Sequence, residues 1–252
     1  MSKVAVFAHR GASATHPENT AAAFAEALRL GVEAVEFDVR LTADRKMVVI
    51  HDATVDRTSD GHGDLRHMTL AQMTEFDAGA WFDAQYTGER FMTLEAVLDL
   101  LAGDVRLNIH VKVDDRDRDI LAPMVARELV DRDLIDRAFI AADQLALALV
   151  RRVDARLAIC NLSVEPQRNY IRRSQALECR ILQPRNATTD AALVAQAHAC
   201  GMEVNPFFAD DEEEMERLID CGVDGILTNE PAKLQAVLGR RSPPELPNPE
   251  GG

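Results

Sequence analysis

No apolar run in this sequence reaches the ~18 residues that a membrane-spanning helix needs. The opening stretch Met1-Ser2-Lys3-Val4 enters a short strand-like segment without the apolar centre of a secretion signal. No stable membrane insertion is expected, and the expected location is cytoplasmic. Positive charge is also scarce: 28 lysines and arginines face 42 acidic residues, a formal charge of -14. Nucleic-acid binding is driven mainly by basic residues that neutralise phosphates, so that class is disfavoured, as is docking on an anionic membrane. Any phosphate bound here has to be held by a local cluster of cations. Cysteine is limited to Cys160, Cys179, Cys200 and Cys221. Their wide spacing fits neither a zinc motif nor a small disulfide scaffold, and buried free thiols are expected. No repeat of fixed period stands out beyond strand–helix alternation.

What is present is an ordinary globular composition, 47% apolar and 28% charged over 252 residues, long enough for one large α/β domain. Val4-Ala5-Val6-Phe7-Ala8 reads as a buried strand ending in His9-Arg10-Gly11-Ala12. Pro17-Glu18-Asn19-Thr20 introduces a helix over Ala21 to Leu30, with Gly31 as its stop. Further strands are expected at Val35 to Val39, Arg106 to Lys112, Ala138 to Ala141, Arg156 to Cys160, Arg180 to Gln183, Met202 to Phe207 and Gly225 to Thr228. Helices fill the intervals, at Asp119 to Arg132, Asp143 to Arg152, Pro166 to Arg173, Asp190 to Cys200, Asp211 to Cys221 and Pro231 to Leu238. Eight strands alternating with helices predict a TIM (β/α)8 barrel as a single domain over residues 1–239. Residues 52–92 break the alternation, with a short helix from Thr69 and the lone Trp81, and read as a small insertion over the barrel mouth. Residues 240–252, with four prolines, are expected to form a mobile tail.

The chemistry gathers around Glu36 and Asp38. Successive strand residues alternate between faces, so these two carboxylates point together from a strand whose other face carries Val35, Phe37 and Val39. Side by side they would raise each other's pKa unless a cation sat between them, and a divalent metal answers that need. The loop at Ala43 to Lys46 is too short for a parallel crossover, so Met47-Val48-Val49-Ile50-His51 is expected to return as a hairpin. Pairing Thr42 with Met47 would set His51 opposite Asp38, and a slip of one residue would turn His51 away. On the next strand Asn108, His110 and Lys112 form a second polar row. Two cations, two carboxylates and three imidazoles would meet at the C-terminal strand ends, a composition suited to phosphate ester cleavage. Two alternatives stay open: Glu36 and Asp38 as partners of Arg10 or Lys112, and Lys112 as a partner of Asp114 or Asp115. For His110 three readings stand: metal ligand, hydrogen-bonded core histidine, or mark of lost activity.

Several stretches, in order, resemble the signatures of the glycerophosphodiester phosphodiesterase family: His9-Arg10-Gly11, Pro17-Glu18-Asn19-Thr20, Glu36-Phe37-Asp38, His51-Asp52 with Asp56-Arg57-Thr58, Thr93-Leu94-Glu95, and Gly222 to Asn229. The resemblance implies a TIM barrel that hydrolyses glycerophosphodiesters to glycerol 3-phosphate and an alcohol, with one divalent metal ion, Mg²⁺ or Ca²⁺. It implies His9 and His51 as the general acid and base, Arg10 and Lys112 as phosphate ligands, and Glu36 and Asp38 as metal ligands. The chain departs from the family in reading His110-Val111-Lys112 where Glu-Ile-Lys is usual, which puts an imidazole at the third ligand position and brings Mn²⁺ or Zn²⁺ into consideration. It also places Phe207 or Phe208 where a tryptophan is usual. The competing expectations are a phospholipase D-like lyase forming a cyclic phosphate, and a phosphoester-binding pseudoenzyme.

Overall fold

The computed structural model describes residues 4–163 and 169–241. In chain order its elements begin with β1 (Ala5–His9), α1 (Ala21–Leu30), β2 (Ala34–Leu41), β3 (Met47–Val49), α2 (Leu70–Met73), β4 (Met92–Thr93), α3 (Leu94–Leu100), β5 (Arg106–Val111) and α4 (Arg118–Asp131). They continue with β6 (Ala138–Ala142), α5 (Gln144–Val153), β7 (Ala158–Asn161), α6 (Tyr170–Ala176), β8 (Ile181–Leu182), α7 (Ala191–Ala199), β9 (Glu203–Val204), α8 (Glu212–Asp220), β10 (Gly225–Thr228) and α9 (Pro231–Arg241). Setting β3 and β4 aside leaves eight strands, paired in the order β10-β1-β2-β5-β6-β7-β8-β9, and every neighbouring pair is parallel. Backbone hydrogen bonds bridge the remaining seam: Asp224 N–H donates to the Val204 carbonyl at 3.0 Å and Leu227 N–H to the Pro206 carbonyl at 3.1 Å. The eight-stranded barrel is therefore the expected one.

Strand alternation sorts the core into two layers. Val35, Phe37 and Val39 point outward and pack with Phe24, Leu94 and Leu121 of the surrounding helices, the Phe24 and Phe37 rings meeting edge to face at 5.9 Å. Phe7, Phe139, Ile181 and Leu227 point inward. At the N-terminal end of the barrel the partly exposed Arg106 guanidinium lies 5.0 Å from the Phe139 ring centre and pairs with Glu203 at 2.6 Å. An aromatic face and a carboxylate together offset the cost of placing a cation there.

Local signals explain the element that follows β1. The Thr20 side chain accepts from Ala23 N–H at the start of α1, and Gly31 closes the helix in a left-handed conformation (φ 67°). Gly11, at φ 81°, is required on two counts: a Cβ there would lie 2.6 Å from the Ala23 carbonyl carbon, and L side chains rarely adopt that φ. Arg10 and Asn19 also sit at positive φ (57° and 60°), so the β1–α1 loop concentrates backbone strain beside the barrel mouth.

Several expectations need correction. The hairpin pairs Leu41 with Met47, one residue away from the expected register, and Ile50 N–H donates to the Asp38 carbonyl. β4, which pairs with β3, was not expected, because two residues carry no readable period. β9 spans only Glu203–Val204 of the six residues expected. Residues 240 and 241, assigned to the tail, continue α9, and the rest of the tail and the first three residues, 166–168, of the helix expected from Pro166 lie outside the described residues. All four cysteines are free, but only Cys160 and Cys179 are buried. Cys200 is exposed at the end of α7 and Cys221 partly so after α8, since both follow the last turn of a surface helix. No helix among the described residues is long and apolar enough to cross a membrane.

Candidate active site

The parallel register sets His9 beside Glu36 and Asp38 beside His110. Residues from β1, β2 and β5 thus share the C-terminal end of the barrel. Glu36 is 3% exposed and Asp38 1%, and ligand atoms of Glu36, Asp38 and His110 all lie within 4.8 Å of one another. The two carboxylates are unequally served. Asp38 has Arg10 Nε at 3.2 Å, Lys112 Nζ at 3.3 Å, His110 Nδ1 at 3.2 Å and the Asn19 amide at 3.3 Å. That surrounding holds its pKa well below the usual carboxylate range despite burial. Among the described residues Glu36 accepts a hydrogen bond only from the Arg10 backbone N–H, at 3.1 Å. Burial, with the Asp38 charge added, pushes its pKa up to about 8. Half of the salt-bridge alternative is therefore observed, for Asp38, while Glu36 has no ion-pair partner to favour its charged form and is driven toward the protonated one. Lys112 turns to Asp38, and Asp114 and Asp115 pair instead with Arg116 and Arg118.

These residues suit a divalent cation. Two buried carboxylates and a neutral nitrogen form the donor set, and Glu36 resists ionising without a positive charge beside it. The Asp38 Oδ1 atom is buried and faces His110 Nδ1 and Lys112 Nζ without a well-formed hydrogen bond to either, an imperfectly satisfied oxygen of the kind a metal would engage. Burial lowers the pKa of His110 against the opposing pull of Asp38, which favours the unprotonated nitrogen that a metal ligand needs.

His51 reaches the basin by a route other than the expected strand parity. β3 ends at Val49, and the chain bends at His51, where Arg40 Nε donates to the His51 carbonyl at 2.7 Å. His51 Nδ1 lies 2.6 Å from Asp52 Oδ1, and Asp52 in turn accepts from Arg57 Nε at 2.7 Å. Arg57 makes two hydrogen bonds to Glu18, at 2.7 and 2.8 Å, and Glu18 also accepts from Arg10 at 3.0 Å. These ion pairs hold Asp52 down to about 2 and lower Glu18. A chain of charges thus runs from His51 to Arg10.

His9 has a different surrounding. Its Nδ1 lies 2.7 Å from Asn229 Oδ1 and its Nε2 3.8 Å from Glu36 Oε2. Its ring stacks on Phe208, with centroids 5.1 Å apart and planes 17° from parallel. Burial, reinforced by Arg10, lowers its pKa to about 4. Of the two phenylalanines considered in place of the family's tryptophan, Phe208 covers His9, whereas Phe207 lines a cavity of about 240 Å³. That cavity is lined by the polar His9, Glu36, His110 and Gln183 and by the apolar Leu162, Phe207 and Leu227. Trp81 and Phe82 do not line it. They form an edge-to-face row with Tyr86, whose hydroxyl donates to the Thr15 carbonyl at 2.9 Å.

All seven expected site residues therefore lie around one basin. Glu18, Asp52, Arg57, Asn229 and Phe208 were given no individual role from sequence. The first four fall in the motif stretches, which was the available signal, but their pairings span up to 220 residues.

Comparison with known proteins bears on what this basin is. Residues 9–233 match the glycerophosphoryl diester phosphodiesterase family. A glycerophosphodiester phosphodiesterase of Caldanaerobacter subterraneus subsp. tengcongensis is 36% identical over 243 residues, 92% of this chain and 96% of that protein. Among solved structures, an Oleispira antarctica phosphodiesterase in complex with the product sn-glycerol-3-phosphate superposes with a TM-score of 0.87 at 26% identity, covering 93% of this chain and 96% of that one. The glycerophosphodiester phosphodiesterase of Agrobacterium tumefaciens gives 0.82 at 26% identity, covering 94% and 100%. With its strand ends carrying the matched residues around one metal-suited basin, the chain belongs to the glycerophosphodiester phosphodiesterase family.

Proposed function

We propose that this protein hydrolyses glycerophosphodiesters to glycerol 3-phosphate and an alcohol, acting on small molecules in the cytoplasm. The observation that carries the reading is the meeting of Glu36, Asp38 and His110 with two histidines and two cations in one basin at the barrel mouth. A divalent ion held by Glu36, Asp38 and His110 would supply a Lewis acid to draw charge from the phosphoryl oxygens. The ion is Mg²⁺ or Ca²⁺ by family likeness, with Mn²⁺ or Zn²⁺ favoured by the His110 nitrogen.

Arg10 and Lys112 bind the phosphate. Both stand within ion-pair distance of Asp38, and they give an anionic diester a positive focus in a chain of net charge -14. The two histidines divide the proton traffic. His9 is held neutral by burial and shares its Nδ1 proton with an uncharged amide, so Nε2 is the basic atom and accepts a proton from the attacking water. His51 is backed by the Asp52 carboxylate, which stabilises an imidazolium, and it donates a proton to the departing alcohol. The apolar half of the cavity, Leu162, Phe207 and Leu227, receives the carbon skeleton of the substrate.

The test is phosphorus NMR of the products from glycerophosphocholine and a lysophospholipid, run with Mg²⁺, Ca²⁺, Mn²⁺ and Zn²⁺ in turn. Glycerol 3-phosphate as a product supports hydrolysis. A stable cyclic phosphate as sole product would replace it with a lyase. Silence with every metal despite measurable binding of a diester would leave a binding protein, the reading that His110 keeps in play.

A further inference from the structure

Asn229 follows β10 at the C-terminal end of the barrel. We infer that Asn229, oriented by Asp210, is a positioning residue that fixes the tautomer of His9. The inference rests on the reading of His9 as a proton-transfer group.

The Asp210 carboxylate accepts from the Asn229 backbone N–H at 2.8 Å, from its side-chain Nδ2 at 2.6 Å and from Thr228 Oγ1 at 3.1 Å. Its own carbonyl accepts from Lys233 Nζ at 2.8 Å, so Asp210 is tied at both ends. An ionised carboxylate can only accept, hence Asn229 must turn its NH₂ group toward Asp210 and its Oδ1 away. That oxygen lies 2.7 Å from His9 Nδ1 and 2.8 Å from Ser13 Oγ. An amide oxygen can only accept, so the neutral His9 ring has to carry its proton on Nδ1. The lone pair then sits on Nε2, the atom 3.8 Å from Glu36 Oε2. Phe208, stacked on the ring, restricts rotation. If Asn229 served only to pin the loop after β10, its backbone bond to Asp210 would suffice, and the side chain would have no reason to reach His9.

The test uses the full-length, metal-free chain with ¹⁵N-labelled histidine, His9 being assigned by comparison with His9→Gln. Nitrogen shifts of a neutral imidazole report which atom is protonated. The wild type is expected to show His9 as the Nδ1–H tautomer. Asp210→Ala frees the Asn229 amide to turn over, and Asn229→Leu removes the acceptor. Each should bring in the Nε2–H form and lower kcat about tenfold, with KM within about twofold. Should Asn229→Leu fail to fold, Asp210→Ala carries the same test. The decisive variant is the reciprocal exchange, Asn229→Asp with Asp210→Asn. It keeps one amide and one carboxylate and returns an acceptor to Nδ1, so it should restore both the tautomer and kcat. A wild-type His9 protonated on Nε2, variants that keep the Nδ1–H form, or an exchange that restores the tautomer without the rate would each overturn the inference. The NMR result stands even if no diester is hydrolysed, so failure of the proposed function and failure of this inference are separable.

Discussion

At the scale of single residues, His110 sets this site apart from the family pattern. Glu36 and Asp38 contribute two negative charges and His110 none, where a glutamate would make three. Fewer anionic oxygens weaken the hold on hard cations, and a nitrogen donor favours borderline ones. His110→Glu should therefore raise affinity for Mg²⁺ and Ca²⁺ relative to Mn²⁺ and Zn²⁺ by about tenfold or more, read by titration calorimetry. An unchanged order of metals would remove His110 from the ligand set. Glu36 makes a prediction about pH. Its pKa is raised to about 8, so at pH 7 the metal-free chain holds a proton that a metal has to displace. Metal affinity should rise with pH up to about 8 and level off above it. Calorimetry at pH 7 in buffers of different ionisation heat should find close to one proton released per metal, falling toward none at pH 9. The same shift has a stability consequence with a definite sign. A carboxyl group whose pKa is raised on folding favours the folded state below its unfolded value of about 4.5. That contribution disappears as pH climbs through 8, so the metal-free wild type should lose melting temperature between pH 5 and 8 relative to Glu36→Gln.

Among the elements, the β1–α1 loop is the one that the site cannot do without. It carries Arg10 and Asn19 at positive φ and turns at Gly11 against the Ala23 backbone. Gly11→Ala adds both a forbidden contact and a strained φ, a cost of about 1–3 kcal/mol. Because the strain falls beside Arg10, we expect KM to rise at temperatures where circular dichroism still reports a folded barrel. Normal KM in a stably folded variant would mean that the loop tolerates the change. This loop also marks how far the sequence could be read. Strand alternation made the inward row of Glu36 and Asp38 legible, and with it His110 and Lys112, because period two is a local property. His51 was placed in the basin on a register one residue out; what brings it there is a bend after Val49, and bends leave no period. The pairing of Glu18 with Arg57, 39 residues apart, and of His9 with Asn229, 220 apart, depends on how the barrel closes. No window of sequence contains both partners of such a pair.

For the whole molecule, charge distribution matters more than any single contact. A chain of net charge -14 repels an anionic diester at long range, and on the proposed reading attraction begins within reach of Arg10 and Lys112. At 0.15 M ionic strength fields are screened beyond about 8 Å. Raising salt from 0.01 to 0.15 M should therefore increase kcat/KM or leave it level, and a steep fall would show that steering by a positive field governs capture. The molecule also has two cores of unequal size. The barrel core spans every strand, whereas the insertion over 52–92 rests on a small cluster of Val48, Ile50, Val55, Leu65, Met73, Ala78 and Phe91. Small clusters open at lower free energy than the global transition. Arg57, carried by that insertion, clasps Glu18 and Asp52, so each local opening unfastens the support behind His51 and Arg10 while the barrel stays intact. Activity in mild urea should accordingly vanish before helical ellipticity does, and hydrogen exchange should show residues 54–78 exposed first: the enzyme would behave as if it had a fuse.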